Sequence, residues 1–200
     1  MRRILPALLV VSAGMLAGCQ QQNFLGPRQP VVQARLTLYA VSRAPTFFPS
    51  AIAIGGTTVI AARADLDNAG GAFYDVIVDL ETLPGQPTRV KLIPIRAWAQ
   101  APTLSFPQVA IRAATDDFLR VSRPPEGGYR IDSVTVVDVR QTFFLQTNRC
   151  AGGFAFSQEQ WSKAIVDSVN VAEGLVRLRV ATDPNCGQRE FPTTNFPVTP

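Results

Sequence analysis

The sequence predicts an all-β domain, two packed antiparallel sheets of about 9–11 short strands. Three observations carry this reading. From Val31 onward, short runs of Val, Ile, Thr and aromatic residues alternate with clusters of Gly, Pro and Asn, which is strand-and-turn punctuation. Phe73 to Leu80 alternates apolar and polar residues, so Tyr74, Val76, Val78 and Leu80 are expected in the core and Asp75 and Asp79 in water. The chain behind residue 18 is long enough for one ordinary core.

Taken in order, strands are expected near 31–41, 51–54, 57–66, 72–80, 88–98, 106–113, 117–122, 129–138, 140–147, 161–171 and 174–182. The breaks between them are turn chemistry, because Gly supplies positive φ and Pro presets φ. Examples are Asp67-Asn68-Ala69-Gly70-Gly71, Leu83-Pro84-Gly85-Gln86-Pro87 and Arg123-Pro124-Pro125-Glu126-Gly127-Gly128. Around Leu92-Ile93 and Val136-Val137 the apolar face switches sides. A β-bulge or a crossing between sheets would produce such a switch. Residues 31–190 are read as one sandwich, with two β-units split near 114–128 as the alternative. Residues 191–200 hold three prolines and no alternation. They are expected to form an extended tail laid along an edge strand.

The hairpin near the C-terminus depends on its turn. With Glu173-Gly174 as a two-residue turn, Val171 opposes Val176, Val169 opposes Leu178 and Ile165 opposes Thr182. Asp167 then sits on the apolar side. Another register puts Val176 opposite Val169 and Arg177 opposite Ser168, and alternation alone does not choose. A rival reading makes 157–168 a short helix, with Ser157 as N-cap and Trp161, Ile165 and Val169 as its buried stripe.

The first nineteen residues concern address rather than fold. Arg2 and Arg3 precede an apolar run from Ile4 to Val11, and small residues lead to Leu16-Ala17-Gly18-Cys19. That is the layout of a secretory signal peptide, too short in its apolar part to span a bilayer comfortably. The last four residues resemble the lipobox of bacterial lipoproteins. The resemblance implies removal of residues 1–18 and a diacylglycerol on the sulfur of Cys19. Residues 19–30 are expected to be a polar, flexible tether. By analogy with enterobacterial lipoproteins, Gln20 after the lipidated cysteine favours the outer membrane.

Cys19, Cys150 and Cys186 are the three cysteines. With Cys19 lipidated, Cys150 and Cys186 remain in an oxidising compartment, where a disulfide is expected. The chain has 19 basic and 15 acidic side chains. Loss of Arg2 and Arg3 leaves a balance of about +2, and no concentrated basic face suggests nucleic acid. Most cations are Arg, with only Lys91 and Lys163 as lysines, and they are expected on solvated strand faces.

Histidine is absent, which removes Ser-His-Asp and Cys-His catalysis and histidine metal sites. No nucleophile elbow, phosphate loop or Ser-x-x-Lys motif occurs. Ser162 and Lys163 are adjacent, so a strand would point them to opposite faces. Asp65, Asp67 and Asn68 before Gly70-Gly71 form a weak calcium candidate, lacking the further spaced acid and closing Glu of an EF-hand. Phe47-Phe48, bracketed by Pro45 and Pro49, are the best candidates for a loop-borne contact surface.

The expected function is therefore a non-enzymatic, lipid-anchored envelope module of broadly immunoglobulin-like sandwich architecture. It would bind an envelope protein or a polysaccharide, without a cofactor. A hydrolase using carboxylates on loops and a carrier of small apolar molecules are the alternatives.

Overall fold

Ten antiparallel strands form two five-stranded sheets. They are β1 (Val32–Tyr39), β2 (Pro49–Ile52), β3 (Val59–Ala61), β4 (Val76–Glu81), β5 (Arg89–Pro94), β6 (Val109–Ala114), β7 (Thr135–Val137), β8 (Thr142–Thr147), β9 (Gln160–Asn170) and β10 (Leu175–Asp183). The structure is a computed structural model that describes residues 29–45, 47–53, 59–61, 74–98, 109–147 and 159–193. The first sheet has the order β1-β10-β9-β8-β6 and the second β3-β2-β4-β5-β7. Both sheets mix strands from either side of 114–128. The likeness to immunoglobulin domains is one of architecture, because the β8-β9-β10 meander gives this sandwich its own connectivity.

Alternating residues of both sheets fill the space between them. Leu38, Val76, Leu92, Ile111, Phe143, Leu145, Val166 and Leu178 belong to one buried cluster. The expected alternation of β4 puts Val76, Val78 and Leu80 in this cluster. Asp75 and Asp79 do not face water, however; both are buried. The turn after β1 folds over the outer face of the second sheet, and Val41 packs there with Tyr74, Ile77, Ile93 and Ile95. Tyr74 thus belongs to this outer cluster and not to the central core. Asp79 accepts a 2.6 Å hydrogen bond from Ser42 Oγ and lies 3.3 Å from Lys91 Nζ.

That outer cluster also explains the apparent phase switch at Leu92-Ile93. The β4–β5 register runs unbroken from Val76↔Pro94 to Glu81↔Arg89, and β5–β7 likewise. No bulge is needed: Leu92 enters the central core and Ile93 the outer cluster. A strand covered on both faces loses its polar alternation.

The segment 117–122 is a turn and not a strand. Asp117 Oδ1 accepts the Leu119 N–H at 2.8 Å, and its carbonyl accepts those of Arg120 and Val121. Asp closes turns in this way because its short side chain mimics a backbone acceptor. The rival helix over 157–168 is also overturned, since Gln160–Asn170 is the central strand of the first sheet. Ser162, Ala164 and Val166 point toward the second sheet, opposite Thr182, Val180 and Leu178; Trp161, Lys163 and Ile165 point outward. Both faces are buried, so the residues read as a continuous apolar run that mimics a helical stripe.

The β9–β10 register is the slipped one. Val176 pairs with Val169 and Arg177 with Ser168, and a bulge then sets Leu178 opposite Val166. The turn spans Val171–Gly174 rather than two residues, with Asn170 Oδ1 accepting the Glu173 N–H at 3.3 Å. The bulge removes Asp167 from the apolar side and turns it toward Arg179, whose Nε donates to both carboxylate oxygens at 2.9 and 2.8 Å. Gly174 closes the turn with φ of 68°, and a Cβ there would lie 3.2 Å from Arg43 Cβ. Gly174→Ala is expected to cost about 1–2 kcal/mol, measured by urea unfolding; an unchanged midpoint would contradict this backbone argument.

Candidate functional site

The strands give the sandwich two distinct ends. At one end β1 begins, β10 finishes and β9 starts, because Val32 pairs with Thr182 and Asp183 with Trp161. Gln29 is fixed at this end: its N–H donates to Asn185 Oδ1 at 2.8 Å and its carbonyl accepts Asn185 Nδ2 at 2.7 Å. Tyr39, paired with Leu175, marks the opposite end. The turns at 40–48, 82–88, 138–141 and 171–174 gather there, as the registers of β1, β4, β5 and β8–β10 dictate.

Phe47 and Phe48 lie at that opposite end. Phe47 is 86% exposed and Phe48 43%, and the Phe48 ring meets Tyr39 edge to face at 4.7 Å. The turn beneath them is tightly bonded, with Ala44 N donating to Ala40 O at 2.8 Å and Phe48 N to Pro45 O at 3.0 Å. Arg43 ties it to the β9–β10 turn through Val171 O. Arg140, with φ of 70°, is the described non-glycine residue in the left-handed region. Its N–H donates to Val166 O at 2.7 Å, which anchors the 138–141 turn to the same end.

Cys19, Cys150, Asp65, Asp67 and Asn68 lie outside the described residues. Cys186 lies in the turn after β10. The neighbouring Gly187 N–H donates to Glu159 O at 2.8 Å.

The outer face of the first sheet carries a feature that sequence reasoning missed. Two segments roof it, the turn at 117–122 and the strap at 186–193. Phe191 packs with Phe118, Trp161, Ile165 and Ala181, and its N–H donates to Ser122 O at 2.7 Å. Residues 191–193 thus cross a sheet face, where a tail along an edge strand was expected. Lys163 lies under this roof with no solvent exposure. Its ammonium donates to Phe118 O and Val121 O at 2.9 Å each and more weakly to Pro192 O at 3.4 Å. The rings of Phe118 and Phe191 stand 5.0 and 5.5 Å away. Burial pushes the amine down to about 8, against an opposing pull from Asp117. The flanking Trp161 and Ile165, two residues to either side, were the available signal: a lysine between large apolar residues on one strand face sits on a covered face.

Beside Lys163, Tyr129 meets Trp161 edge to face at 5.4 Å, and the Arg189 guanidinium stacks on Trp161 at 4.7 Å. Burial raises the Tyr129 hydroxyl to about 12. This layer binds the strap and the loop to the sheet with cations and rings.

A groove of about 530 Å³ opens between the edge strands β6 and β7, beside Gly128 and Arg130. Arg112 lines it, but its Nη1 donates to the carbonyls of Glu126 and Gly127. Its other charged lining residues are Arg130 and Glu126, and Glu126 Oε1 lies 4.0 Å from Arg189 Nη1. Two of the carboxylates have structural work: Asp79 holds Ser42, and Asp117 closes a turn. Among the described residues no group of three or more His, Cys, Asp or Glu could hold a metal ion. No helix among them is long and apolar enough to cross a membrane. No protein-family model, curated protein or solved structure matches the chain.

Proposed function

We propose that the mature protein begins at Cys19, carries a lipid on that sulfur, and serves as an anchored envelope module that binds an envelope protein or polysaccharide without catalysis. Residues 1–18 are then the signal peptide, residues 19–30 hold the tether, whose far end is fixed where Gln29 bonds Asn185, and Gln20 favours the outer membrane. Cys150 and Cys186 form a disulfide in this reading. The observation that carries the binding role is Phe47, an aromatic 86% exposed on a firmly bonded turn. Phe48 is exposed beside it, and an apolar patch of neighbouring side chains, unlike a lone one, marks a contact surface. The filled interior, where Phe143, Leu145, Ile111 and Leu92 have no exposure, counts against the carrier alternative, which needs an open cavity between the sheets.

Cell fractionation tests the anchor. The wild-type chain is expected to sediment with membranes and to require detergent for release. Cys19→Ser is expected to abolish lipid incorporation and membrane association. Equal fractionation of the two would refute lipidation at Cys19.

A further inference from the structure

We propose that the end of the sandwich bearing Phe47 and Phe48 is a protein-docking tip, pointed away from the membrane to which the opposite end is tethered. The reading of Cys19 as the anchor underlies this orientation. Of eight large apolar side chains exposed among the described residues, five lie at this end: Phe47, Phe48, Leu83, Val139 and Val171. The turns that carry them belong to both sheets, so the grouping is a property of the end and not of one loop. Exposed Arg43, Glu173 and Arg177 stand among them. An apolar centre with a charged rim of both signs is the composition of a protein interface.

The position of the tether decides the occupant. Gln29 is fixed to Asn185 at the far end. From Val32 to Tyr39, β1 alone separates the two ends by about 25 Å. Ten residues join Cys19 to Gln29, with a relaxed span of about 17–19 Å and a fully extended reach of about 33–36 Å. A relaxed tether therefore leaves the tip beyond the surface that holds the lipid. Turning the tip squarely onto that surface, with the domain inverted, would require a nearly extended tether running back along the whole domain. A second copy docked tip to tip would put the two tethers at opposite ends of a pair about 50 Å long, so both lipids could share one membrane only if each domain gave up the upright pose and lay flat. A different protein, presenting an apolar pocket that accepts an aromatic ring, fits both constraints.

The test is in-cell photo-crosslinking of the full-length protein, with p-benzoylphenylalanine placed singly at positions 47, 83 and 171. Position 32, whose valine is also exposed (41%) but lies at the tether end, serves as control. The three tip positions are expected to give one adduct of the same mass. Its yield at position 32 should be at least about tenfold lower, and Phe48→Ser should lower the yield from position 83 by a similar factor, as loss of a hot-spot contact would. Adducts to lipid, adducts at twice the chain's mass, or equal yields from position 32 would each overturn the proposal. Fractionation of the same cells reads the anchor independently. A wild-type chain that does not sediment with membranes overturns the Cys19 reading, and with it the orientation proposed here.

Discussion

Lys163→Ala is expected to lower the unfolding free energy by about 3–4 kcal/mol at pH 7, measured by urea unfolding. Two losses contribute. The substitution deletes a buried aliphatic stem and leaves a cavity in the most central strand of the first sheet. It also leaves the carbonyls of Phe118, Val121 and Pro192 without the ammonium that joins the two roofing segments. One gain offsets part of this, because a charge is no longer held away from water. Lys163→Met separates the contributions, since it keeps a stem of similar length and loses only the cation. Removing the buried charge offsets the lost hydrogen bonds, so this variant is expected to stay within about 1 kcal/mol of wild type at pH 7. An alanine variant within 1 kcal/mol of wild type would show that the roof does not depend on this side chain.

The pH dependence of the same variants tests the electrostatics. The Lys163 amine titrates near 8 in the folded protein and near 10.5 when unfolded. Between those values the unfolded chain holds the proton that the folded chain has released, so stability rises with pH. The gain is of the order of 3 kcal/mol, from a shift of about 2.5 pK units. Asp117 pulls on this amine; Arg179 lies 5.3 Å from the same Phe118 ring and Arg189 4.7 Å from the Trp161 ring, the other charges in this layer. Tyr129 acts in the opposite sense above pH 10. Its folded hydroxyl keeps its proton to about 12 while the unfolded one loses it near 10, so that contribution is complete below pH 10 and lost as pH rises toward 12. Wild-type stability should therefore climb from pH 8 to a maximum near 10 and then fall. Lys163→Met should lack the climb; a climb of equal size in that variant would refute the assignment to Lys163.

The strands were legible because β-branched runs and turn residues are local signals. The 117–122 segment failed because a single Asp117 side chain closes a turn inside an otherwise strand-like run. What covers each sheet was not legible. Asp75, Asp79 and Lys163 read as solvent-facing or uncommitted because their covering segments, the turn at 40–45 and the strap at 186–193, come from distant parts of the sequence. The β9–β10 register was undecidable for a related reason. Its apolar residues fit two alignments, and the choice is made by a four-residue turn with Gly174 at positive φ and a bulge that frees Asp167. Phe47 and Phe48, by contrast, were visible as contact candidates, since their bracketing prolines took them out of the alternation that fills a core.

The disulfide we propose between Cys150 and Cys186 should be worth about 3–4 kcal/mol, the loop-closure entropy of a bridge between residues 36 positions apart. The described strands bring the segments that lead to its two sides to the same end of the first sheet. Thr147 ends β8 opposite Gln160, and Cys150 follows three residues later, within about 10 Å of chain. Gly187, next to Cys186, donates to Glu159 O, so the Cys186 turn also lies at the start of β9. The bridge would hold the base of the strap whose far part covers Lys163. Cys186→Ser and Cys150→Ser should therefore destabilise equally, and the double variant should lose no more than either alone, because both singles break one bond. The wild type should migrate faster without reductant than with it and show no titratable thiol once Cys19 is lipidated. Two titratable thiols with equal mobility, or serine variants as stable as wild type, would refute the pairing. Strict additivity in the double variant would instead show two separately buried thiols, each contributing only its own packing.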